Sequence, residues 1–194
     1  MEKTLLFIFF ILVVSVPFLY RFIRIGRIGW FVNSSSNLIN DKNYNTAEKL
    51  RTIQVFLGAT FFIIHGAFFW GFFNTIFFLI VTIIVSLLFE IIGSKTGYFF
   101  GGKYHYNKDN TPGYIIFGIP VLIPIAWFGI IYMGINFCSY VTNIRLPIEN
   151  SVNYFSIILT AIFVMLLDLV LDPLAVDEKR WSWESPGIYY GVPI

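Results

Sequence analysis

The chain has 194 residues, of which 57% are hydrophobic, 20% aromatic and only 12% charged, with a formal net charge of +2. A soluble domain carries roughly 25% charged and 45–50% apolar residues, so this composition excludes an ordinary soluble fold. It marks an all-α, polytopic integral membrane helix bundle. No basic run gives a footing for nucleic acid, and a single cysteine, Cys138, leaves no internal disulfide to form.

Residues 5–20 form the first spanning candidate. Ser15-Val-Pro17 is a poor small-x-small cleavage site, so the stretch reads as a retained helix rather than a signal peptide. Arg21, Arg24 and Arg27 follow on one basic face suited to lipid headgroups. Residues 33–46 are polar, rich in Ser and Asn, and without periodicity, as a loop would be. Asn45 with Glu48 three residues on suggests a helix start.

Residues 53–70 and 75–92 are apolar almost throughout, and the Trp70-Gly71 break with Asn74 predicts two helices joined by a tight turn. His65 stands alone in the first of them. Such a histidine is expected to hydrogen-bond a neighbouring helix rather than to bind metal. Glu90 then ends an apolar run, and a carboxylate at the edge of hydrocarbon is costly unless paired or functional. Glycines 93, 97, 101 and 102 follow, interleaved with Tyr98, Tyr104 and Tyr106.

After a turn-rich loop, residues 114–137 form the fourth span, with Pro120, Pro124 and Trp127 near its start. Prolines inside a membrane helix free carbonyls that protein or a cavity must satisfy, so this helix entrance is expected to line something. Arg145, Pro147 and Glu149 occupy a short loop. Residues 152–170 form the fifth span and run into Asp168 and Asp172, which share one helix face. Pro173 predicts that the helix ends or kinks at Asp172. Residues 174–194 form an interfacial segment carrying Trp181 and Trp183. The expectation is one transmembrane domain, 1–194, of about five spanning helices.

Positive charge fixes an orientation. Arg21, Arg24, Arg27, Lys42, Lys49 and Arg51 follow the first span, Lys95, Lys103 and Lys108 the third, and Lys179 and Arg180 the fifth. Only Lys3 and Arg145 fall on the other side. The positive-inside rule then puts the amino terminus outside. Glu90, Asp168, Asp172, Tyr98, Tyr104, Tyr106, Trp127, Trp181 and Trp183 converge at the cytoplasmic side.

The succession Glu90-x-x-Gly93-x-x-Thr96-Gly97-x-x-Phe100-Gly101, then Tyr104 and Tyr106, resembles the carotenoid biosynthesis membrane-protein family, which includes carotenoid 1,2-hydratases. Gly118-x-Pro120-x-x-x-Pro124-x-x-Trp127 matches in type and order, as do Asp168-x-x-Leu171-Asp172-Pro173-x-Ala175, Trp181-x-Trp183 and Tyr189-Tyr190-Gly191-Val192-Pro193. The likeness covers residues 90–194. Gly101-Gly102-Lys103 stands where the family has a tighter Gly-x-Tyr. Family members also resemble each other beyond the Gly-Val-Pro segment, an expectation of truncation at the C-terminus.

The resemblance implies acid-catalysed addition of water to a terminal C=C of an acyclic carotenoid, a lipophilic substrate met in the bilayer. Such chemistry needs a proton donor able to protonate carbon, stabilisation of a tertiary cation and one admitted water. A carboxylic acid in an apolar site can keep its proton at neutral pH, and Glu90, Asp168 and Asp172 are the candidates. Asp168 or Glu90 is assigned as general acid, with Asp172 orienting water. Tyr98, Tyr104, Tyr106, Trp127, Trp181 and Trp183 are assigned to substrate binding, aromatic faces stabilising a cation by about 0.5–2 kcal/mol each.

Other readings stand beside this one. Glu90 could pair with Lys95 or Arg180, Asp172-Pro173 could be a helix stop, and the tryptophans an interfacial belt. A cyclase or isomerase would use the same carbocation, and a transporter or carotenoid-holding subunit would need no chemistry. The histidines at 65 and 105 have no metal-ligand spacing, and the glycines open no nucleotide-binding turn. No cofactor or metal is expected. The 23 phenylalanines suit either a long conjugated ligand or lipid contact.

Overall fold

A computed structural model describes Ile11, Ser15 and residues 44–111, 113–142 and 153–193, without the side chains of 44–48 and 177. The first expected span, its three arginines, most of the 33–46 loop and Arg145, Pro147 and Glu149 lie outside the described residues. Among the described residues four helices are long and apolar enough to cross a membrane, and they make an all-α membrane bundle.

α1 (Tyr44–Phe69) and α2 (Phe72–Thr96) form a hairpin. Gly71, with φ of 88°, makes the break between them, in a backbone region that side chains other than glycine's disfavour. The sequence of α2 explains its rotation. Thr75, Thr82, Ser86, Glu90, Gly93 and Ser94 are buried on one stripe, while Phe73, Phe77, Ile80, Ile84 and Leu88 are exposed. The small stripe lets neighbouring helices approach, and the apolar stripe faces lipid. Thr75, Ser86 and Ser94 return their hydroxyl hydrogens to carbonyls of their own helix, at 2.9, 3.2 and 3.3 Å. These three hydroxyls are thus satisfied by backbone, and Glu90 is the stripe's one charged member.

The expected fourth span begins later than the sequence suggests. Residues 114–121 form a hairpin of β2 (Ile115–Ile116) and β3 (Ile119–Pro120), following β1 (Tyr104–Tyr106) in the chain. Its turn residues Phe117 and Gly118 both have positive φ, 53° and 92°, as a two-residue hairpin of this hand requires. α3 (Leu122–Thr142) starts only then. Pro120 thus lies in a strand, and Pro124 lies in the first helical turn, where a missing N–H costs nothing. Neither breaks a helix.

α4 (Tyr154–Asp177) is capped by the Asn153 side chain, which accepts from the Ser156 N–H. It continues through Pro173, so of the expected end or kink at Asp172 the end does not occur. Proline removes the N–H that would bond the carbonyl four residues back. That carbonyl is Leu169's, and the Tyr189 hydroxyl donates to it at 3.1 Å. A donor from the C-terminal turn thus replaces the one that proline lacks. Tyr189→Phe is expected to destabilise the protein by about 1–3 kcal/mol, read as thermal unfolding in detergent. The same change in a Pro173→Ala background should cost much less, because alanine restores the N–H. Equal losses in both backgrounds would exclude this pairing.

β4 (Trp181–Trp183) pairs antiparallel with β1, setting Tyr104 opposite Trp183 and Tyr106 opposite Trp181. α3 is the central helix, in contact with α1, α2 and α4. One apolar core of Ala59, Phe128 and Tyr132 fills the α1–α3 contact. A second, of Tyr104, Trp183 and Val192, closes the end at which α2 finishes and α4 delivers β4.

Candidate active site

Glu90 lies one turn and a half from the end of α2. The helix stops at Gly97, whose left-handed backbone (φ 77°) donates its N–H to the Gly93 carbonyl. The chain then doubles back, and a Cβ on Gly97 would press on the Gly102–Lys103 backbone at 2.9 Å. This reversal returns β1 over the last turns of α2. Gly93 leaves the space that the Phe100 ring occupies.

The result is a clasp around one carboxylate. The Tyr104 hydroxyl donates to Glu90 Oε2 in a short hydrogen bond, and the Tyr106 hydroxyl donates to the same oxygen at 2.8 Å. Trp127, in the second turn of α3, donates its indole N–H to Oε1 at 2.8 Å. Glu90 is 4% exposed. The expected alternative, pairing with Lys95 or Arg180, does not occur. Lys95 is exposed, and Arg180 donates through Nε to Glu178 Oε2 at 2.7 Å. Among the described residues Glu90 makes no ion pair. Three neutral donors hold a buried carboxyl group that has no cation beside it among the described residues.

The phenols are tuned for this work. Burial, and then the Glu90 charge, push the Tyr104 and Tyr106 hydroxyls well above the ordinary tyrosine range. They remain donors across the working pH range. The tyrosines are held in turn by β4: the Tyr104 ring lies 5.6 Å from that of Trp183, and the Tyr106 ring 5.5 Å from that of Trp181. Trp183 also donates its N–H to the Phe100 carbonyl at 3.0 Å. Gly93→Ala should therefore drive Phe100 out and loosen the Trp183–Tyr104 contact. The expected cost is about 1–3 kcal/mol, seen as a lower unfolding temperature in detergent. Unchanged stability would show that Phe100 is not locked there.

Asp168 and Asp172 come from α4 to the same end. Asp168 feels the Glu90 charge, and Asp172 those of both Glu90 and Asp168. Tyr104 in turn senses Asp172. Both aspartates are half-buried, and among the described residues neither has a hydrogen-bond partner. The site thus gathers Glu90, Tyr104, Tyr106, Trp127, Asp168, Asp172, Trp181 and Trp183. Tyr98 is left out, with its side chain 85% exposed beyond the α2 terminus.

Behind the site, Glu178 accepts from Arg180 and from Arg51 Nη1, the latter at 2.6 Å. Arg180 Nη1 donates to the Asn110 carbonyl, and the Thr111 hydroxyl donates to the Arg180 carbonyl. These bonds tie α1, the loop after β1 and the entry to β4 into one frame. Sequence reasoning missed this frame, and it named Tyr189 within a motif without seeing its bond to Leu169. That bond had a legible signal, since Pro173 orphans a carbonyl in an apolar helix and some donor must meet it. His65 Nδ1 and the Tyr132 hydroxyl lie 2.7 Å apart, the interhelical bond expected of that histidine. His105 bonds Glu184 at 3.0 Å on the exposed side.

The family model described as carotenoid biosynthesis protein matches residues 50–194. Among curated proteins, the chain is similar to a bisanhydrobacterioruberin hydratase from Haloarcula japonica. The two are 30% identical over 115 residues, 59% of this chain and 37% of that protein. The match thus spans little more than a third of the relative's length. No solved structure matches the chain significantly.

Proposed function

Because the chain belongs to the carotenoid biosynthesis protein family, we propose that it adds water to a terminal C=C of an acyclic carotenoid. The observation that carries this reading is the buried Glu90 carboxylate, clasped by three neutral donors, without a cation and beside two further acids. An anion prepared in this way has most to gain from a positive charge that arises only during reaction. The resemblance to a protein named as a hydratase supports the same chemistry.

The assigned roles follow from which oxygens are free. Both Glu90 oxygens already accept donors, so Glu90 acts as counter-ion and Asp168 as general acid. Asp168 gives its proton to the less substituted alkene carbon, and the π pair forms the new C–H bond. The tertiary cation left behind is stabilised by Glu90 and by the faces of Tyr104, Trp127, Trp181 and Trp183, worth about 0.5–2 kcal/mol each. Water held by Asp172 adds to the cation and returns a proton to the carboxylate. The net change is one water across one double bond, with no redox partner.

The same reading puts the amino terminus outside and the acid site at the cytoplasmic end, where Lys95, Lys103, Lys108 and Lys179 stand exposed. Expression in cells accumulating lycopene, followed by pigment mass analysis, tests the function. A gain of about 18 mass units, one water by stoichiometry, is expected from the general-acid step. An isomer of unchanged mass would replace hydration by cyclisation or isomerisation. Unchanged pigment, with protein in the membrane and with a second acyclic carotenoid also unchanged, would overturn catalysis in favour of a carrier.

A further inference from the structure

His65 is a polar group that the proposed chemistry does not use. It lies on α1 one turn before the hairpin, far from the acids, between the Phe69 ring at 4.5 Å and Tyr132. Tyr132 is 2% exposed, and its hydroxyl meets the Asn136 amide, which donates to it, and the imidazole, which is left to accept its hydrogen. With Tyr132 donating to Nδ1, the neutral ring carries its proton on Nε2. The opposite tautomer would strand the phenol hydrogen inside an apolar core, which is the costlier arrangement. Nε2 has no hydrogen-bond partner among the described residues, and the side chain is only half-buried, among lipid-facing Ile64, Phe68 and Phe69. An N–H left open toward hydrocarbon is unfavourable, and such intramembrane groups mark binding or transport paths.

We propose that His65, oriented by Tyr132, is a second ligand site, which donates a hydrogen bond to an oxygen at the far end of a long, rod-shaped apolar molecule. The proposal rests on the carotenoid reading for the ligand's class, an acyclic polyene carrying a hydroxyl. The two sites are well separated. Gly66, beside His65, packs on Thr75 of α2, and the helix rises about 22 Å from Thr75 to Glu90 at 1.5 Å per residue. Hydration itself makes such a ligand. A polyene with two reactive ends, once hydrated at one, presents a hydroxyl at the far end when the other end reaches Glu90. His65 is then a specificity residue for the singly hydrated molecule.

Binding can be read without turnover. Trp70 lies 4.6 Å from the Tyr132 ring, so quenching of tryptophan fluorescence in nanodiscs reports occupancy. The probes are a linear polyene alcohol and its parent hydrocarbon of equal length. The full chain is expected to prefer the alcohol about fivefold to tenfold, the worth of one neutral hydrogen bond. His65→Phe should bind both equally, and His65→Gln, which keeps an N–H, should retain part of the preference. Equal binding by the unaltered protein overturns the proposal, as does a preference that survives His65→Phe. If His65→Phe fails to fold, Tyr132→Phe, which frees the imidazole to turn, should likewise lower the preference, and its full retention overturns the proposal. Failure of lycopene hydration counts against the acid site alone, because the binding preference needs no reaction.

Discussion

Glu90→Gln is expected to lower hydration by about 10²–10³-fold, the usual loss when one preorganised electrostatic group is removed, while the protein still reaches the membrane. The substitution keeps shape and removes charge. It also turns an acceptor into a group with its own N–H₂, which must face Tyr104, Tyr106 or Trp127, all of them donors. One donor is left without an acceptor in a buried site, at about 1–3 kcal/mol. Pigment analysis at matched membrane levels gives the catalytic loss, and unfolding in detergent gives the structural one. Tyr104→Phe separates the two effects further. It takes one donor and leaves the charge, so its rate loss should be much the smaller. Full hydration by Glu90→Gln would remove the counter-ion role.

Asp168→Asn is expected to lower the same reaction by about 10²–10⁴-fold, the range for a positioned general acid. An amide cannot protonate an alkene. Asp172→Asn should fall less, since an amide oxygen still accepts a hydrogen bond from water. Both changes preserve volume and leave the clasp around Glu90 intact. A protein with Asp168→Asn that keeps full activity eliminates it as the donor, and a larger loss at Asp172 would exchange the two roles.

Much of this site was legible because membrane helices tie position along the chain to depth. Glu90 near the end of one apolar run, Trp127 near the start of the next and Asp168 and Asp172 near the end of another had to share a level once the loops were assigned sides. Tyr104 and Tyr106 were drawn in by the same logic. Depth says nothing about direction within a loop, and Tyr98, grouped with them by depth, points away from the clasp, 85% exposed. The pairing of β1 with β4 was invisible too, since each strand is three residues long and neither shows a sustained alternation. The late start of α3 was hidden by hydropathy, because Ile115, Ile116 and Ile119 suit a span as well as a hairpin. Pro173 misled by its local rule. The helix continues because a distant tyrosine supplies what proline removes, a tertiary contact that no local pattern announces.

The β1–β4 pairing also imposes an order on biogenesis. Glu90 enters the bilayer end of α2 before any of its donors has been synthesised. Tyr104 and Tyr106 follow within a few residues, but Trp127 arrives a helix later, and the strand that packs on both tyrosines comes only after α4 has inserted. Until then the clasp is open, and the carboxylate must lean on water or headgroups at the membrane surface. Closing so long a loop of chain is slow relative to forming a helical hairpin. The end that holds Glu90 is therefore sealed only after all four described helices have been made, and a nascent chain halted before Trp183 would hold these helices without closing the clasp.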